Sequence, residues 1–127
     1  MIGVMVPSAF ALEDKGDFYL VSSSSNNNYN SFVKTINDLN QSYVLQQDIP
    51  IKFEKCGVVN AFWNPNLKQI TICEEYVSQT QKIFEKKFPN NFDIQQRWAN
   101  AAINFVIYHE VGHALVDEFV LPVIGRE

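Results

Sequence analysis

Both histidines of this 127-residue chain fall in one five-residue stretch, His109-Glu110-Val111-Gly112-His113. Residues four apart on a helix stand one turn above the other, so the two imidazoles can converge on one ion at the ~2.0–2.1 Å that zinc requires. Glu110 is rotated by about 100° from His109, which keeps its carboxylate out of the ligand set but within reach of a water held by the ion. Zinc lowers the pKa of such a water to near 7 and polarises a carbonyl, while a glutamate base takes the proton and delivers it to a leaving amine. The expectation is a zinc site with His109 and His113 as ligands and Glu110 as the catalytic base. The alternative is a pair of core histidines, satisfied on the buried face of a helix.

Three neighbours bear on that site. Gly112 inside a helix costs roughly 1 kcal/mol relative to Ala, so it should have a reason, such as close approach of another backbone or room for a further ligand. Tyr108, on the far side from the ion, reads as a packing residue. Asp117 lies one turn beyond His113 and either orients that ring as an acceptor or is a solvated acid near the helix end.

The motif sits inside a helix that periodicity marks independently. Trp98, Ala102, Phe105, His109, Gly112, His113 and Val116 fall on one face, and Asp93 followed by Gln96 has the form of a capping box at its start. An earlier helix is marked by Tyr76, Ile83, Phe84 and Phe88, with Glu74 and Glu75 at its positive end, Lys86 and Lys87 at its negative end, and Pro89 as its stop. Phe32, Ile36, Leu39 and Tyr43 form the stripe of another. Residues 17–21 read as a short strand, Ile51 and Phe53 alternate with Lys52 and Glu54, and residues 58–63 and 68–72 read as a hairpin turning at Asn64-Pro65-Asn66. These elements predict an α+β domain: a small, largely antiparallel sheet with a hairpin edge strand, packed on helices that include the long motif helix.

Cys56 and Cys73 flank the hairpin. In its tight register they lie about two residues from opposite, so a bridge needs a bulge or a different loop. If formed, it would contribute roughly 3 kcal/mol in the chain-entropy model; the alternative is two buried thiols. Residues 1–11 (MIGVMVPSAFA) are apolar and end in the small-x-small Ala9-Phe10-Ala11, so they are either the tail of a signal peptide that starts upstream or an apolar strand. A secretory start favours the disulfide and a secreted or periplasmic location. Ten basic residues stand against fourteen acidic ones, net charge −4, with no basic run longer than Lys86-Lys87. That balance argues against a nucleic-acid or anionic-membrane partner. No apolar stretch reaches the ~18 residues of a transmembrane helix.

The residues also resemble known families. Astacin-like and matrix-type enzymes continue the motif with x-x-Gly-x-x-His, where this chain has Val116 and Phe119. It looks instead like a gluzincin, in which a Glu from a following helix is the third ligand. Asn60-Ala61-Phe62-Trp63 is similar to the Asn-Ala-Phe-Trp strand of thermolysin-like peptidases. That resemblance implies that the Asn60 side chain and the Ala61 backbone hold the main chain of a peptide or protein substrate, as an edge strand can. Cys56-Gly57, Asn60-Ala61-Phe62, Cys73, the motif with Ala114-Leu115, and residues 121–127 resemble a family described only as "putative metallopeptidase". The resemblance covers residues 50–127 well and implies a zincin-like domain over 12–127. In that family further acidic residues follow Gly-Arg-Glu; either Glu127 is the third ligand or the ligand lies beyond it in a longer protein, and the resemblance implies the second. The functional expectation is a zinc-dependent peptidase. Its rivals are a zinc amidase and a catalytically silent binding module whose motif helix is core.

Overall fold

The computed structural model describes residues 16–22 and 29–118. In chain order these form β1 (Phe18–Ser22), a 3-10 turn (Asn30–Phe32) leading into α1 (Val33–Ser42), β2 (Ile49–Glu54), β3 (Ala61–Asn64), β4 (Gln69–Cys73), α2 (Glu74–Lys87) and α3 (Phe92–Asp117). The apolar N-terminal segment and residues 119–127, with Glu127, lie outside the described residues.

The α+β class holds, but the sheet is not largely antiparallel. Its order is β1-β2-β4-β3, with β1, β2 and β4 mutually parallel and only β3 antiparallel, against β4. The reason lies in the connections. A helix between β1 and β2 returns the chain to the same end of the sheet, which makes the pair parallel. Residues 55–60 then carry the chain past the position of β4 to the far edge, so only the hairpin step reverses direction. β2 buries Ile49, Ile51 and Phe53 on alternate positions, while central β4 buries Ile70, Thr71, Ile72 and Cys73 without alternation. A strand covered on both faces reads that way.

The long helix α3 is capped by Asn91, whose side chain accepts from the Ile94 N–H at 3.1 Å, and not by Asp93. Its buried face is Gln95, Ala99, Ile103, Ile107, Glu110, Val111 and Ala114. The stripe expected from sequence is the opposite one: Trp98, Phe105 and Val116 are 52%, 72% and 75% exposed. The helix is apolar around much of its circumference, so a 3.6-residue period fits two faces, and only the sheet decides between them. α3 is tied to α1 by Thr35 Oγ1, which donates to Asn104 Oδ1 at 2.7 Å.

Candidate metal centre and its edge strand

His109 and His113 are exposed, so they are not satisfied core histidines. Their Nε2 atoms lie 3.2 Å apart, with the rings nearly perpendicular at 82°. Two nitrogens bound to one ion at ~2.0–2.1 Å and a tetrahedral angle stand about 3.3 Å apart. The separation of the two nitrogens is thus that of two donors to one metal ion. The adjacent Glu110 is 7% exposed, and its carboxylate has no hydrogen-bond partner among the described residues. Glu110 and His113 line a groove of about 650 Å³ together with Ala61, Phe62, Trp63 and Asp117. The groove thus has the Glu110 carboxyl and the His113 imidazole on its helix side and strand β3 on its other side.

β3 is an edge strand, so half of its backbone groups have no strand to pair with. The Cys73 N–H donates to the Asn60 carbonyl at 3.0 Å, and Ala61 pairs with Ile72, Phe62 with Thr71. Antiparallel pairing alternates, so Phe62 and Asn64 direct their backbone groups at β4 while Ala61 and Trp63 direct theirs to the open edge. One of these open donors is covered by its neighbour: the Ala61 N–H donates to Asn60 Oδ1 at 2.9 Å. The two groups expected to hold a substrate main chain therefore hold each other here. The hairpin turns at residues 65–68, where Asn64 Oδ1 accepts from the Asn66 and Leu67 N–H groups at 2.9 and 3.0 Å.

The neighbours of the motif are placed differently from expectation. A Cβ on Gly112 would meet nothing within 4 Å, so no described backbone approaches it. Tyr108 is 47% exposed rather than packed. Asp117 accepts from the Trp63 indole Nε1 at 2.9 Å, which joins the helix end to the edge strand, a partnership that no local pattern signals.

Cys56 and Cys73 form a disulfide, with Cα atoms 5.4 Å apart. It does not cross the hairpin. Glu54 pairs with Cys73 in the parallel ladder and Asn60 meets it from the other side, so the bridge clips the connection between β2 and β3 beside the end of β4. Gly57, at φ +82°, makes the turn that this requires, in the left-handed region that glycine enters freely. The Glu75 carboxylate accepts from the Cys56 and Gly57 N–H groups at 3.0 and 2.8 Å. Those bonds, the Cys56 one foremost, hold its pKa below the ordinary carboxylate value. Cys56, Cys73 and Glu75 are the one cluster of three metal-ligand types among the described residues, but the sulfurs are bonded to each other.

Elsewhere, burial and the neighbouring Glu74 push the Tyr29 phenol up to about 12. No helix among the described residues is long and apolar enough to cross a membrane.

No curated protein and no solved structure matches the chain. Residues 20–127 match the model of the family DUF4344, described as "Putative metallopeptidase". That span takes in β2, β3, β4 and most of β1, the paired histidines and Glu110, and the chain belongs to this metallopeptidase family.

Proposed function

We propose that the protein is a zinc-dependent peptidase of gluzincin type, with His109 and His113 as metal ligands and Glu110 as general base. The observation that carries this reading is the pair of Nε2 atoms 3.2 Å apart on one side of α3, with Glu110, the residue after His109, lining the same groove as His113. Two imidazoles are typical zinc donors, and a carboxylate from elsewhere in the protein would complete the usual three. Glu127 is the candidate within this sequence. A zinc ion held there supplies a Lewis acid for the scissile carbonyl and a water of lowered pKa.

The chain's own groups do the rest. An extended substrate lies along β3 and takes the outward N–H and C=O groups of Ala61 and Trp63 as a further strand would. The Asn60 carboxamide turns from the Ala61 N–H to the substrate main chain. Glu110 accepts the proton of the attacking water at a carboxylate oxygen and passes it to the departing amine nitrogen. Burial of Glu110 keeps its carboxylate aimed at the groove. The disulfide supports a workplace in an oxidising compartment, secreted or periplasmic.

Glu110→Gln keeps the shape of the base and removes its function. Zinc binding, followed by metal analysis, should survive, while peptide hydrolysis falls by about two orders of magnitude or more. His113→Ala should lose both. A Glu110→Gln protein as active as the parent would sink the mechanism, whatever its zinc content.

A further inference from the structure

Glu110 and His113 belong to a helix and the peptide-binding edge belongs to a hairpin, so their separation must be fixed by something between the two elements. Among the described residues, β3 has a neighbouring strand on one side only. Two direct bonds link the hairpin to the end of α3: the Trp63 Nε1–H to Asp117 Oδ2 at 2.9 Å, and Lys68 Nζ to Glu118 Oε2 at 2.6 Å. They leave the hairpin from β3 and from the end of its turn and land on adjacent residues, one turn past His113. The Lys68 backbone is held at φ +55°, a left-handed conformation unfavourable for a residue with a side chain. The Asn64 side chain braces the turn before it. The Glu118 carboxylate side of that ion pair is 15% exposed, so the contact is shielded where it meets the helix.

We propose that Trp63 and Lys68 latch the hairpin onto Asp117 and Glu118, and that this latch sets the distance from the edge strand to Glu110 and His113. These four are positioning residues. The inference rests on the peptidase reading, because what the latch positions is a bound peptide against the base; a displacement of about 1 Å in such a geometry can cost about a hundredfold in rate.

The test uses the zinc-loaded protein and an extended peptide substrate. Asp117→Ala and Trp63→Phe should each lower kcat/KM by about tenfold or more with zinc stoichiometry unchanged. The double variant should be no worse than the poorer single one, since both remove the same bond. Asp117→Asn, whose amide oxygen still accepts from the indole, should keep most of the activity. A second readout needs no turnover. The chain has two tryptophans, so Trp98→Phe leaves Trp63 as the sole indole emitter. Its emission should shift on Asp117→Ala and hold on Asp117→Asn. Losses that multiply in the double variant, or an unchanged kcat/KM alongside shifted emission, would overturn the latch as a positioning device. If the parent itself cleaves no peptide, the peptidase reading fails separately and amide exchange decides the latch. Protection at Phe62 and Asn64 that falls in Asp117→Ala but not in Asp117→Asn upholds it, and unchanged protection overturns it.

Discussion

Asn60 stands one residue before the edge strand with its side-chain oxygen on the Ala61 N–H, the donor that an added strand would need. Under the peptidase reading, that carboxamide changes partner when substrate arrives. Asn60→Ala should then lower kcat/KM by roughly 5- to 100-fold, or ~1–3 kcal/mol, at unchanged zinc content. Peptide hydrolysis equal to the parent's would remove the side chain from substrate binding. Glu75 offers a separate handle through pH. Its pKa is depressed in the fold by the Cys56 N–H, its own backbone and the Gly57 N–H. A depressed carboxylate stabilises the fold above its unfolded pKa and loses that contribution as pH falls through the folded value. The stability gap between the parent and Glu75→Gln should therefore be open near neutrality and close on acidification below the ordinary carboxylate range. Thermal melts of both proteins at a series of pH values check this, and a gap that widens in acid would contradict the assigned bonds.

At the scale of elements, the connection between β2 and β3 does most to place the edge strand. It is six residues long, and it is held by the Gly57 turn, by Glu75 and by the disulfide to Cys73. The cross-link closes a loop of sequence separation 17. In the chain-entropy model its loss costs roughly 3 kcal/mol. Cys56→Ser with Cys73→Ser should accordingly lower Tm by about 10 °C or more in calorimetry. Reduction of the parent protein should reproduce most of that fall. Because the loop leads directly into Asn60 and Ala61, the melt should be accompanied by loss of peptide hydrolysis at temperatures where the rest of the sheet is still folded.

For the molecule as a whole, the two faces of α3 make opposite demands. Ile103 and Ile107 are 1% and 0% exposed among the strands, whereas Phe105 and Val116 are 72% and 75% exposed. Ile107→Ala should cost about 2–5 kcal/mol, the usual range for truncating a buried aliphatic residue. Phe105→Ser should stay within about 0.5 kcal/mol of the parent. Denaturant unfolding of the two variants distinguishes the faces. A Phe105→Ser protein as unstable as Ile107→Ala would mean that the face carrying His109 and His113 is covered.

Local chemistry determined much of this protein. The position of the motif on a helix, the presence of the three helices, and the strands around Phe18, Phe53 and Ile70 all follow from periodicity and from stop signals that act within a few residues. The same is true of the close approach of the His109 and His113 rings, because an i, i+4 spacing on a helix sets it. Tertiary structure decided what depends on a distant partner. Strand direction follows from the path of the connections, and a two-residue period is the same in parallel and antiparallel sheets. The buried face of α3 was ambiguous because apolar residues surround the helix, and contact with the sheet selected Ile103 and Ile107 over Phe105. The disulfide expected across the hairpin instead clips a loop, since Cys73 sits where two strands meet it. Asp117 found Trp63, 54 residues away in sequence, a pairing that no local pattern encodes.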